Sequence, residues 1–116
     1  MIYASESRSL AALEILVHFS AVPRDFVLTE IKLPDDIAVL RIEAADLPAG
    51  WDAETISEAT QNIGERWTIE GKYPVLSVPS SIVAAERNYV INPAHPDFSS
   101  IRFSPSTPFR FDPRLK

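Results

Sequence analysis

The chain has 116 residues, 46% of them apolar and 23% charged, the size and balance of one globular domain rather than of a disordered, repetitive or membrane-spanning protein. It contains no cysteine and only two histidines, His18 and His95, which excludes thiol and zinc-finger chemistry and speaks against a histidine-rich metal site. The net charge of −5 and pI near 4.9 weigh against a broad nucleic-acid surface, although Arg102, Arg110, Arg114 and Lys116 against Asp112 alone make residues 101–116 a basic end.

The chain opens with a short extended stretch, Ile2-Tyr3-Ala4, leading into a helix expected over Ser5–Ser20. Ser5 or Ser7 can cap it, because a serine hydroxyl accepts a hydrogen bond from a free first-turn amide. Leu10, Leu13, Leu16 and Val17 share one face at helical spacing, so this helix is expected to be substantially buried. Glu14 and His18 interrupt the apolar run and no basic cluster precedes it, so it reads as structure and not as a signal peptide. Nothing approaches the roughly 20 apolar residues of a membrane span. Pro23 supports the helix ending before it.

Phe26–Leu33 alternates well enough to predict a strand, Pro34-Asp35-Asp36 a turn, and Ala38–Ile42 the partner strand. Asp46–Trp51 reads as a loop. Asp52 can cap a helix over Ala53–Trp67, whose Ile56, Ala59, Ile63 and Trp67 keep helical spacing, with Gly71 ending that region. Val75–Val78 is a short apolar strand stopped by Pro79. A brief helix over Ile82–Glu86 is left open, Tyr89-Val90-Ile91 is extended, and Phe109-Arg110-Phe111 alternates as a last strand. Seven of the ten prolines fall between Pro74 and Pro113, which makes the second half rich in loops.

Four positions or clusters carry chemistry that packing alone does not require. Glu14 lies on a stripe with Ser7, Ala11 and His18 and either faces water beside His18 or stands at a cleft edge as a carboxylate. Tyr3 and Ser5, just before the helix, are either a packing residue and a cap or an aromatic ring and a hydroxyl that meet a ligand. Ser80 follows the apolar strand at its carboxyl end, where ligand sites gather, although a turn serine is the plainer reading. Asn88, Asn92, His95 and Asp97 form a polar cluster that is either a proline-rich turn or a site. Gly50, Gly64 and Gly71 are too far apart for a phosphate-binding loop.

In order along the chain, Tyr3-Ala4-Ser5-Glu6-Ser7, Leu10–His18, Gly64-Glu65-Arg66-Trp67, Val78-Pro79-Ser80, Asn88–Phe98 and Phe109–Leu115 resemble successive segments of the RES domain, the toxin half of RES–Xre toxin–antitoxin pairs. The resemblance covers nearly the whole chain. It implies a compact α/β (α+β) domain similar to the ADP-ribosyltransferase catalytic core. The implied activity splits the nicotinamide–ribose bond of NAD, with water or phosphate as acceptor, and in some members a protein. By position, Glu14 would be the family's essential glutamate, Ser80 its active-site serine and Tyr3 its pocket tyrosine, with Ser5 beside Tyr3 in the substrate-binding stretch. A carboxylate suits that role because bond cleavage leaves positive charge on the ribose.

The resemblance further implies NAD as substrate rather than as a bound cofactor, no metal, a cytoplasmic setting that the absence of cysteine fits, and an Xre-type helix-turn-helix antitoxin as partner, through which any DNA contact would pass. A homodimer is left open and no membrane is involved. RES domains usually carry an arginine and a Gly-Gly-Arg-Trp-Asn-like stretch ahead of the tyrosine segment. Residues 1–116 are therefore expected to be a single RES-like domain shortened at its N-terminus, with Arg8 and Arg24 as surface charge. The alternative functions are a catalytically inactive, shortened RES domain acting as an antitoxin-binding module, or an ADP-ribosyltransferase acting on a protein.

Overall fold

The computed structural model describes residues 1–52 and 58–116. In chain order the elements are β1 (Ile2–Ser5), α1 (Arg8–Leu16), β2 (Phe26–Leu28), β3 (Ile31–Lys32), β4 (Val39–Arg41), α2 (Glu58–Glu70), β5 (Val75–Pro79), β6 (Arg87–Ile91), β7 (Arg102–Phe103) and β8 (Thr107–Phe109), with short 3-10 turns at Ala44–Asp46, Pro96–Ser100 and Pro113–Leu115. The fold class is α+β, as expected: a four-stranded sheet in the order β1-β6-β5-β4, and two small ribbons, β2 with β8 and β3 with β7.

The apolar run Val75–Val78 decides the sheet. β5 is almost wholly buried, so it takes the interior position, with β6 antiparallel on one side and β4 parallel on the other. A parallel pair needs a long crossover, and α2 lies in the connection that supplies it. Strand register then sorts the side chains, because alternate residues point to opposite faces. Ile2, Ile91, Val75 and Val39 line up across all four strands and form, with Ile101, the centre of the core. The adjacent row, Tyr3, Val90, Leu76 and Leu40, points to the other face. Ser5 and Asn88 sit opposite each other on that same second face.

Several expectations are corrected. The first helix runs over Arg8–Leu16 and not Ser5–Ser20. Its N-cap is Ser7, whose hydroxyl accepts the Leu10 amide at 3.0 Å, while Ser5 belongs to β1. After Leu16 the chain tightens into turns, His18 N–H to Ile15 O and Phe19 N–H to Leu16 O, both 3.1 Å, and Phe19 leaves the helix line to meet Phe26 edge-on at 5.9 Å. The helix is also less covered than its periodicity suggests. Leu10 and Leu16 are buried, whereas Leu13, Val17 and Phe19 are exposed.

The single strand expected over Phe26–Leu33 is two strands with a break at Thr29–Glu30, each half pairing with a different C-terminal strand. Between those two partners lies Pro105, which has no amide hydrogen to give a ladder. The break is held by Ser104 N–H on Glu30 O at 2.9 Å and by the paired hydroxyls of Thr29 and Ser106. The strand expected to pair with it, over Ala38–Ile42, instead joins β5 in parallel, because the buried backbone of β5 needs hydrogen-bond partners along both of its edges.

Gly71, at φ +60, closes α2 one turn beyond Trp67, its N–H meeting Trp67 O at 3.1 Å. Trp67 is buried and donates its indole N–H to Tyr73 O at 2.8 Å. Residues 53–57 of the expected helix, including Ile56, lie outside the described residues. No helix forms over Ile82–Glu86, where the chain bends and turns. β8 stops at Phe109 because its partner β2 begins at Phe26, after Asp25 has turned the chain at φ 61. Phe111 is buried without joining the ladder, 4.9 Å from Phe109 and 5.8 Å from Phe26, both edge-on.

Candidate active site

The second face of the sheet carries a continuous polar chain. Glu14, half-buried on α1, accepts two hydrogen bonds on Oε1, from the Ser80 hydroxyl at 2.7 Å and from the Asn88 amide nitrogen at 2.8 Å. Asn88 in turn accepts at Oδ1 from the Ser5 hydroxyl at 2.7 Å. Residues separated by 66, 74 and 83 positions meet here, so only the assembled sheet and helix create the site. Glu14 Oε2 has no protein partner among the described residues.

The frame around this chain is fixed at several points. Ser80 is fully buried. Its amide donates to Glu86 O at 2.8 Å, and its hydroxyl accepts the amides of Ile82 and Val83. Glu86 also accepts from the hydroxyl of Ser7, the cap of α1, at 3.3 Å. The turn carrying Ser80 is thereby tied to the helix carrying Glu14. On the β1 side, Glu6 N–H meets Arg87 O at 3.1 Å and the Glu6 carboxylate accepts from Arg87 N–H, prolonging the β1–β6 pairing past Ser5.

Of the four residues singled out from the sequence, the structure joins Glu14, Ser80 and Ser5 into one network. Tyr3 stands on the same sheet face one row from Ser5, about 7 Å along the strand, and is 78% exposed. It makes no side-chain hydrogen bond among the described residues. His18 does not pair with Glu14: it lies beyond the helix end and is exposed. Arg8 and Arg24 are both exposed, as surface charge should be.

Asn88 is the residue whose role the sequence hid, because it reads as part of the cluster running to Asp97. The structure divides that cluster. Asn92 Oδ1 accepts the Ala94 amide at 3.0 Å and His95 Nδ1 accepts the Asp97 amide at 3.0 Å, so these residues do serve a proline-rich turn, while Asn88 lies in β6 and faces Glu14. The available signal was its parity with Val90, a polar residue on an otherwise apolar strand face. Two shallow hollows lie elsewhere. One of about 230 Å³ is bounded by Leu40, Ile63 and Trp67, and one of about 410 Å³ by Leu33, Ile37 and Tyr89. Neither touches the Glu14 network, and the convergence of fixed donors on a carboxylate marks the chemistry better than an apolar hollow does.

A carboxylate held at one oxygen and open at the other can receive hydroxyls or stabilise a positive charge, and the saturated hydroxyl of Ser80 is not poised as a nucleophile. Among the described residues, no helix is long and apolar enough to cross a membrane. Comparison with known proteins adds a family. The RES domain matches residues 1–112 of the chain. A protein of Sphingobium sp. (strain YBL2) named Prs ADP-ribosylating toxin is 38% identical over 119 residues, spanning 99% of this chain and 74% of that protein. Proteins named Toxin Res are 36% identical in Yersinia enterocolitica, over 99% of this chain and 77% of theirs, and 36% identical in Pseudomonas putida, over 88% and 70%.

Proposed function

The chain belongs to the RES domain family, and on that footing we propose that it is the toxin of a toxin–antitoxin pair that degrades NAD by cleaving the nicotinamide–ribose bond. The observation that carries this reading is Glu14, whose Oε1 is held by Ser80 and Asn88 and whose Oε2 has no protein partner among the described residues. When the C–N bond breaks, its electron pair leaves with nicotinamide, neutralising the pyridinium, and the ribose carbon becomes cationic. A fixed carboxylate beside that carbon stabilises the charge more in the transition state than in the ground state. Water or phosphate then adds to the carbon and loses a proton. Tyr3, exposed on the same face, supplies a ring against which a substrate can stack.

NAD is substrate here and no resident cofactor is invoked. The partner is an Xre-type helix-turn-helix antitoxin, and the site of action is the cytoplasm, where NAD is found. Incubating the purified protein with NAD should release nicotinamide. Glu14→Gln keeps the shape and an acceptor oxygen but removes the charge, and should lower kcat by on the order of 100-fold or more. Absence of turnover by the native chain, or full activity in Glu14→Gln, would sink the reading. Co-purification with the antitoxin but no nicotinamide release would favour the non-catalytic binding module.

A second reading draws on the Sphingobium relative, whose name describes an ADP-ribosylating toxin. Transfer to a protein breaks the same bond and asks the same of Glu14. Radiolabelled NAD separates the two: label retained on a protein band favours transfer, and label recovered only as free ADP-ribose or its phosphate favours degradation.

A further inference from the structure

The hydrogen bonds around Glu14 assign roles that residue type leaves open. A serine hydroxyl has one proton to donate and two lone pairs with which to accept. Ser80 uses all three: its proton goes to Glu14 Oε1 at 2.7 Å, and its lone pairs take the amide hydrogens of Ile82 at 3.0 Å and Val83 at 3.1 Å. Fully buried and saturated, it has nothing left for a ligand.

Ser5 is engaged one step further out, through the proton it donates to Asn88 Oδ1 at 2.7 Å. An asparagine amide is nearly symmetric in shape, so only its partners distinguish oxygen from nitrogen. With Oδ1 accepting from Ser5, Nδ2 is directed at Glu14 Oε1, 2.8 Å away. The flipped amide would set its oxygen against a carboxylate oxygen, two acceptors with no proton between them. The β1–β6 register places Ser5 directly opposite Asn88 and makes this contact local.

We propose that Ser80 and Ser5 are positioning residues for Glu14 and not substrate ligands: Ser80 directly, and Ser5 through the Asn88 amide, hold Oε1 so that Oε2 is the oxygen presented to the substrate. The proposal rests on the reading of Glu14 as the group that meets the ribosyl cation. It separates Ser5 from Tyr3, its neighbour on the same strand face, which makes no side-chain hydrogen bond among the described residues and is left to contact the substrate.

Two measurements test it. In NAD turnover, Ser5→Ala should lower kcat on the order of tenfold with little change in KM, since the loss is one of alignment, and Ser5→Thr should restore most of it. Tyr3→Ala should instead raise KM. Independently of activity, the side-chain amide protons of Asn88 in a ¹H–¹⁵N spectrum should move in both Ser5→Ala and Glu14→Ala and stay in place in Tyr3→Ala. A Ser5→Ala variant that raises KM at constant kcat, or that leaves the Asn88 amide signals unmoved, overturns the proposal. A native protein that leaves NAD intact overturns the NAD reading alone, and the Asn88 signals then decide whether Ser5 and Glu14 are coupled.

Discussion

Glu14 meets two protein donors with one carboxylate oxygen, and that asymmetry has consequences for stability as well as chemistry. Glu14→Ala leaves the buried Ser80 hydroxyl and the Asn88 amide without their acceptor, at a cost of about 1–3 kcal/mol, whereas Glu14→Gln can keep both contacts through its amide oxygen and should cost less. The difference between their urea midpoints checks this, and equal midpoints would contradict it. At the other end of the chain, three side-chain bonds and a backbone bond from Arg114 hold the Asp112 carboxyl below its usual range, helped by the charge of Arg110. The sign follows from that direction. The Asp112–Arg114 contact supports the last turn at and above the ordinary aspartate range and is lost only as pH falls through the lowered value. The Arg114 amide signal should therefore titrate below the ordinary aspartate range, and Asp112→Asn should abolish that titration.

Among the elements, the end of the sheet depends on Arg87. Its side chain, 11% exposed, donates through Nε to the Ser77 hydroxyl at 2.7 Å and through Nη2 to the carbonyls of Ser77 and Ile42, with Glu43 at 3.6 Å balancing the charge. One guanidinium thus ties β6 to β5 and to the end of β4. Arg87→Ala is expected to lower stability by about 2–4 kcal/mol, because buried acceptors lose their donors, and chemical denaturation would read it. Ser7→Ala removes the cap of α1 and its link to Glu86, and should cost about 1 kcal/mol. The element boundaries follow the same logic of partners. Neither the break at Thr29–Glu30 nor the early end of α1 is visible in periodicity, because each is set by what the C-terminal segment offers: Pro105 in one case, and the aromatic cluster of Phe26, Phe109 and Phe111, which Phe19 joins, in the other.

The molecule as a whole is flat, 42 × 36 × 21 Å, with a radius of gyration of 15.1 Å against roughly 13 Å for a compact chain of this length. A thin body has little interior, and the row Ile2, Ile91, Val75 and Val39 lies in its core cluster. Ile91→Ala, at its centre and almost fully buried, should cost about 2–5 kcal/mol, and retention of a native-like thermal transition would argue against that row as the core. The sequence by itself determined the strands at Val75–Val78 and around Tyr89–Ile91 and the existence of both helices, because these depend on local periodicity and on glycine and proline, while the α+β class came with the family likeness. Ordered segments such as Tyr3–Ser7 and Leu10–His18 also carried the family likeness, and with it the expectation that Glu14 and Ser80 belong to the site. Only the tertiary structure decided that Asn88 joins them, that Ser5 faces Asn88 and not solvent, and that β4 pairs with β5. Each of these is a contact between residues far apart in the chain, fixed by strand register and by the need of the buried β5 backbone for partners on both edges, and no local pattern encodes which distant partner a strand will take.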